Sequence, residues 1–391
     1  MIFSKLENTI KLLQNTLQEN KETIKKSLIK VESFKTIMDE FDRVESLLRN
    51  IHKQAAFLLS AEVERTAVYL PQNQPLYSLF LFGIIPSLLS KKIFIRPPVL
   101  LAEPYTELVN CFSRVIENLI LSDLSRKVFF EEVTAFSQVV IFSGKYNNVN
   151  SLCNQVSRDT LLLFNGSSSN PCIIGKDAEL TSAVGKCTRA QCYNSGQDCM
   201  APRMIIIHED VYNKFSSMLS ETLGSLLVGD YLDEQTDIGP LISMESYLSG
   251  VKFLQKNQAN IAFGGQFEQE KRIIFPTLMH FDALEALPME EVFAPIFRLV
   301  KYSDMNSVVS FLNTLRMRNI AGYIAYFGSE ILAPIRGYQI INNDSIQSLD
   351  DGNEPFGGSG VHASFVKIGD YQKPQPILIS QEVARFFGKE G

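Results

Sequence analysis

Over residues 2 to about 57, apolar side chains recur near helical spacing. Leu6, Ile10, Leu13, Leu17 and Ile24 are followed by Ile29, Val31, Phe34, Ile37, Phe41 and Leu47, with Lys, Glu and Gln between them. That period, with no Pro or Gly inside it, predicts helix throughout and a helical packing layer. The Lys/Glu mixture over 18 to 32 reads as its solvated face. The pattern then switches. Thr66–Leu70 is a short apolar run ending at Pro71, a strand entering a loop, and Leu76–Leu89 is a buried helix. Lys92–Arg96 is a strand stopped by Pro97-Pro98, residues 100 to 121 return to helical spacing, and Lys127–Phe130 and Val139–Phe142 read as strands. Strand alternating with helix predicts a parallel, doubly wound α/β sheet. Ligands bind such sheets beyond the carboxyl ends of the strands, so the turns after Leu70, Arg96 and Phe142 are the first places to look.

The second half continues the alternation. It has a strand at Leu161–Phe164, a helix over 178 to 192, a strand at Arg203–Ile207 and a helix over 209 to 227. Further strands are expected over 321 to 327 and 339 to 342, before a Gly-rich turn, Pro355-Phe-Gly-Gly-Ser-Gly360. No internal repeat is visible.

Composition narrows the classes. At 391 residues, 45% hydrophobic and 20% charged, the chain suits two packed α/β domains and excludes collagenous and disordered classes. A net charge of −6 argues against a broad nucleic-acid-binding face. The longest apolar stretch, Leu76–Leu89, is broken by Gly83 and Pro86 and falls short of the ~20 residues a membrane span needs. The N-terminus mixes charge with apolar residues and does not read as a secretory signal, so a reducing cytoplasm is expected. There the six scattered cysteines would be free thiols. Without a CxxC pair and with only four histidines, no metal site is expected. His208 and His362 read as loop residues, the latter near the Gly-rich turn. Cys187 and Cys192 fall on a helix, although an oxidative pair of Cys192 with Cys199 stays open.

The segment that stands out is Asn194-Ser-Gly-Gln-Asp-Cys-Met-Ala-Pro-Arg203, between a helix and a strand. Gly196 permits a sharp turn. Cys199 would then sit near amides not committed to a ladder, a place that can lower a thiol pKa and offer an N–H to an oxyanion. A buried apolar cysteine is the other reading.

This segment resembles the catalytic cysteine motif of the aldehyde dehydrogenase superfamily, and other motifs follow in the family's order. Leu70-Pro-Gln-Asn-Gln-Pro75 resembles its oxyanion loop, Ile95-Arg-Pro97 its cofactor turn and Phe142-Ser-Gly144 its phosphate-side turn. Asp237-Ile-Gly-Pro-Leu-Ile242 resembles the stretch beyond the cysteine, Glu290-Glu-Val-Phe-Ala-Pro295 the nicotinamide-ribose motif, and Pro355-Phe-Gly-Gly358 the closing turn. The resemblance runs from about residue 60 to the C-terminus. It implies an aldehyde dehydrogenase-like α/β fold: helical layer and dinucleotide-binding domain over 1–164, catalytic domain over 165–355, and a tail over 356–391 packing on the first domain. Pro376-Ile-Leu-Ile-Ser380 in that tail is a candidate oligomerisation strand, and family analogy suggests a homodimer.

The implied activity is an NAD- or NADP-dependent oxidoreductase that interconverts a small aldehyde and an acid or acyl thioester through a Cys199 thioester. The Asn73 amide and the Cys199 backbone N–H would hold the alkoxide. Gln72, Arg96, Ser143, Gly144 and Lys145 would face the dinucleotide, Glu291 would hold its nicotinamide ribose, and Phe293 would pack beside it. Two departures matter. The position of the hydrolytic glutamate, 34 residues before Cys199, is Asn165, and an amide cannot take a proton at neutral pH. The acidic ribose ligand is replaced by Val99, which with Arg96 and Lys145 nearby tilts the charge balance toward NADP. Val149 stands where the phosphate turn has its second glycine. Coenzyme A-acylating or thioester-reducing chemistry, and a catalytically degenerate scaffold, are the alternatives these departures leave.

Overall fold

The computed structural model describes residues 2–330 and 332–388. The N-terminal layer is helical, but in segments: Ile2–Glu19, Lys21–Leu28, Phe34–Arg49 and Ala55–Ser60. Ser33 restarts the third by accepting the Thr36 N–H at 3.1 Å, an N-cap that the helical period alone does not reveal.

Five strands follow: β1 (Val63–Tyr69), β2 (Ser90–Arg96), β3 (Leu119–Leu121), β4 (Val139–Ser143) and β5 (Leu161–Asn165). They pair in parallel in the order β5-β4-β1-β2-β3. Alternate residues serve opposite faces. Val68, Ile93, Ile141 and Leu163 pack toward the N-terminal helices. Ala67, Val140, Phe142 and Phe164 pack on the other side. Both faces are covered at the sheet centre, which is why β4 and β5 read as continuous apolar runs.

A second sheet is built from β6 (Cys172–Ile174), β7 (Ile205–His208), β8 (Ile261–Phe263), β11 (Thr277–Phe281), β12 (Ile296–Tyr302), β13 (Tyr323–Phe327) and β14 (Gln339–Asn342), with β9 (Phe267–Glu268) and β10 (Ile273–Ile274) forming a separate ribbon. Its order is β14-β13-β6-β7-β12-β11-β8, parallel except where β8 runs against β11. The chain then returns to the first sheet. β15 (Ser364–Ile368) lies antiparallel on β5, and β16 (Tyr371–Lys373) lies antiparallel on β15.

Several expectations are corrected here. Lys127–Phe130 is not a strand but part of the helix Arg126–Glu132, capped by Ser125 Oγ accepting from the Val128 N–H at 3.3 Å. The helix after Pro98 ends at Phe112, and Leu119–Leu121 is β3. Leu161–Phe164 pairs with β4 in the first sheet rather than opening the second. Pro376–Ser380 is not a regular strand. Ile377 makes one bridge to Phe356, and a helix begins at Ile379 and packs near Ala55–Ser60. β11 and β12 went unread in the sequence.

One buried acidic pair belongs to the N-terminal layer. Glu32 and Glu40 are both closed off from solvent, and Glu40 Oε2 accepts the Tyr77 N–H at 2.7 Å. Burial pushes the Glu40 carboxyl up to about 7. It raises Glu32 further, because the neighbouring Glu40 charge adds to the burial. The unfolded chain releases these protons near 4.5. The pair therefore favours the fold fully below that pH; the benefit from Glu40 is lost as pH rises through about 7, and that from Glu32 at higher pH still. Relative to Glu40→Gln, whose amide oxygen still accepts from Tyr77, the wild type should lose about 2 kcal/mol between pH 5 and pH 8. Denaturation of both proteins at the two pH values measures this, and parallel curves would refute it.

Candidate active site

The helix Leu180–Cys192 leads into three successive left-handed residues, Asn194 (φ 45°), Ser195 (φ 58°) and Gly196 (φ 80°). At Gly196 a Cβ would stand 2.3 Å from the Ala294 carbonyl carbon, so both the backbone angle and the space require glycine. Hydrogen bonds hold this turn. Ser195 Oγ accepts the Gly239 N–H at 2.8 Å and meets the Tyr231 hydroxyl at 2.9 Å. Gln197 Oε1 accepts the Ile242 N–H at 2.8 Å, and Asn170 Nδ2 donates to the Cys199 carbonyl at 3.0 Å. Thus the Asp237–Ile242 stretch is the clamp on the cysteine turn. Strain at consecutive left-handed residues costs of order 1–3 kcal/mol each and persists where surroundings over-determine it.

Cys199 borders a cavity of about 790 Å³. All ten residues singled out in the sequence line it, because the strand order brings their turns together. Gln72 and Asn73 follow β1, Arg96 ends β2, and Ser143, Gly144 and Lys145 follow β4. Asn165 closes β5, while Glu291 and Phe293 precede β12. The Asn73 side chain hydrogen-bonds the Cys199 thiol. Glu291 Oε1 accepts from Arg203 Nη2 at 2.9 Å, and Arg203 Nη1 donates to the Met289 carbonyl at 3.2 Å, so the last residue of the cysteine segment holds the glutamate. Asn165 is buried, and its Oδ1 has no partner among the described residues.

Arg126 also lines the cavity, donating to Asn148 Oδ1 at 3.0 Å and to its carbonyl at 3.1 Å. The sequence reading passed over it by treating the neighbouring residues as a strand. Ser125, a helix cap, was the available signal. His362 is not among the lining residues; its ring stacks 4.0 Å from that of Tyr146. Cys192 and Cys199 are both free thiols.

The electrostatics of Cys199 reverse an expectation. Its thiol is pushed well above the ordinary range, first by burial and then by the negative charges of Asp198, Asp350 and Glu291, and the Asn73 hydrogen bond only partly opposes them. Any favourable effect of nearby amides is outweighed by these acids.

Residues 135–367, more than half of the chain, match the model of the aldehyde dehydrogenase family. The chain belongs to that family. A lactaldehyde dehydrogenase of Methanococcus aeolicus is 30% identical over 228 residues, 54% of this chain and 47% of that protein. A 4,4'-diaponeurosporen-aldehyde dehydrogenase of Staphylococcus aureus is 27% identical over 231 residues, 57% and 49% of the two chains. The matched stretch thus spans about half the length of these curated relatives. Similarity of fold extends further. A glyceraldehyde-3-phosphate dehydrogenase from Methanocaldococcus jannaschii, crystallised with NADP, superposes with a TM-score of 0.80 at 20% identity, covering 99% of this chain and 88% of that one. A succinate-semialdehyde dehydrogenase from Burkholderia pseudomallei gives 0.82 at 17% identity, covering 94% and 83%. At these identities the likeness is one of fold, and it includes the N-terminal helical layer that the family match does not reach. This aldehyde dehydrogenase family member therefore has the aldehyde dehydrogenase α/β fold.

Proposed function

We propose that this protein is an NAD(P)-dependent aldehyde oxidoreductase in which Cys199 carries the acyl group as a thioester. The observation that supports this most is the meeting, on one cavity, of a cysteine on a clamped left-handed turn, an asparagine amide hydrogen-bonded to its sulfur, and a glutamate fixed by Arg203.

The residues present fit a dinucleotide. The cavity opens at the carboxyl ends of β1, β2 and β4, where doubly wound sheets bind such ligands. The helix Tyr146–Cys153 begins there without a side-chain cap, leaving first-turn N–H groups suited to a phosphate. Arg96, Arg126 and Lys145 place three cations on the lining, and Val99 sits at the mouth in place of an acid. Lys145 faces Glu245 of the same lining at 3.9 Å, so Arg96 and Arg126 are the cations that favour a 2′-phosphate, hence NADP. Gln72, Ser143 and Gly144 would complete the binding surface, with Glu291 holding a ribose and Phe293 packing beside it. Bound there, a nicotinamide dinucleotide supplies the hydride acceptor.

The chain's own chemistry follows. Cys199 Sγ, its proton released to solvent, bonds to the aldehyde carbonyl carbon while the carbonyl π pair moves onto oxygen, which becomes an alkoxide. The Asn73 amide and the Cys199 backbone N–H stabilise that charge; one such donor is typically worth ~3 kcal/mol. Asn165 contributes no base. The product is the acid or, where another acceptor takes the acyl group, a thioester.

Intact-mass analysis after incubation with a panel of aldehydes and either NAD or NADP in oxidised form tests this. An acyl adduct confined to Cys199, with reduced cofactor formed in step, is the expected result. No adduct and no reduced cofactor with any aldehyde would leave the fold without the activity.

A further inference from the structure

We propose that Asp198 is the general base for hydrolysis of the Cys199 thioester, acting on a water held in a small cavity behind the nucleophile. This rests on the thioester reading above and supplies the step that Asn165 cannot perform.

The cavity has a volume of about 20 Å³ and is lined in part by Asp198, Cys199, Gln191, Arg298 and Glu291. That is room for one water, which also needs two to four polar partners. Three lining residues carry a buried polar atom without a partner among the described residues: Asp198 Oδ2, Gln191 Oε1 and Arg298 Nε. Leaving such an atom unpaired is costly, so one ligand that satisfies all three is the economical account. The chemistry of the set is that of a water: one N–H donor and two oxygen acceptors. The water would accept from Arg298 Nε and donate to Gln191 Oε1 and Asp198 Oδ2.

Asp198 is otherwise fixed. Its Oδ1 accepts the Met200 N–H at 3.1 Å, its carboxyl interacts with the Cys199 thiol, and the residue is only 4% exposed. Burial raises its proton affinity, and the Met200 N–H, Arg43, Gln347 and the Cys199 thiol temper the rise. Asp350 is the other carboxyl that faces it. A carboxylate with raised affinity is a stronger base than a solvated one.

In the proposed step the water oxygen bonds to the thioester carbonyl carbon while one water proton passes to Asp198 Oδ2. The tetrahedral oxyanion, held by the Asn73 amide, collapses and the C–S bond breaks. Its electron pair returns to Sγ, which takes the proton back from Asp198. The carboxylic acid leaves, and no oxidant or reductant is consumed.

The test uses p-nitrophenyl acetate, which acylates a reactive thiol without cofactor, and follows the acetyl adduct on Cys199 by intact mass. In Asp198→Asn, which removes one of the charges opposing ionisation of the thiol, the adduct should still form on Cys199 and should decay about 10²–10⁴-fold more slowly. Its residual decay should rise in proportion to hydroxide. In wild type the decay rate should instead level off once Asp198 is ionised, a profile readable in the unaltered protein even if the variant does not fold. Decay in Asp198→Asn at the wild-type rate, or a wild-type rate proportional to hydroxide throughout, overturns the base assignment while leaving the thioester reading intact. Failure of wild type to form any adduct on Cys199 overturns both.

Discussion

Replacing Cys199 with serine should lower aldehyde turnover by at least ~10⁴-fold, about 5 kcal/mol of transition-state stabilisation. The change is nearly isosteric. The contact from Asn170 goes to the backbone carbonyl, and the clamps on Ser195 and Gln197 do not involve the side chain, so the fold should persist. On the proposed reading, what is lost is the nucleophile. Burial and the acids around the site already oppose ionisation of the thiol, and a hydroxyl, far less acidic, would be harder still to ionise there. The same environment should make wild-type Cys199 slow to react with iodoacetamide at neutral pH. Its alkylation should keep accelerating as pH rises past the usual thiol range. Reduced-cofactor formation and intact mass read the serine variant. Turnover above a tenth of wild type, or an acyl adduct elsewhere, would move the nucleophile to another residue.

In the first sheet β4 and β5 are buried along nearly their whole length and so read as unbroken apolar runs, while β1 and β2 are legible from the apolar residues that follow their exposed charged starts. Lys127–Phe130 failed for the same reason. A short apolar run does not distinguish strand from helix, and Ser125 was the residue that decided it. β12 was overlooked because Phe297 to Val300 enclose Arg298, a charge in a strand interior that is 4% exposed. Arg298 lies 4.5 Å over the Phe253 ring and donates to the Pro288 carbonyl at 2.8 Å, partners that no local pattern announces.

The cavity lining was legible for a different reason. The ten residues singled out in the sequence lie at strand ends or in the turns beside them, and the parallel topology does the assembling. The groups on the other side of Cys199 were not legible. Asp350 and Arg43 are 307 positions apart, and each alone reads as a solvated charge. Asp198 lies within the cysteine motif, yet nothing in the sequence marks it as buried.

Arg43→Ala should cost ~3–5 kcal/mol of stability at neutral pH, far more than an exposed ion pair would. The guanidinium lies 5.6 Å from the centroids of both the Tyr77 and Tyr193 rings. Its Nε donates to Asp39 at 2.6 Å, and its Nη1 pairs with Asp350. Tyr77 and Tyr193 donate their hydroxyls to Asp350 at 3.1 Å and to Asp39 at 2.8 Å. Arg43 and Asp350 keep side-chain exposures of only 11% and 4%, so removing the cation strands a buried carboxylate beside Asp198. Asp350 already holds its proton more tightly than an ordinary aspartate, because burial outweighs Arg43, and without Arg43 it will hold it more tightly still. An acid whose folded pKa is raised loses stability as pH climbs from its unfolded to its folded value. The deficit of Arg43→Ala should therefore be larger at pH 8 than at pH 5. Asp350→Asn added to Arg43→Ala should recover much of it, since the uncompensated charge is then gone. Urea denaturation of the two single variants and the double variant at both pH values gives the coupling. A loss under about 1 kcal/mol, or a double variant no better than Arg43→Ala alone, would mean that the cluster is not held together by charge.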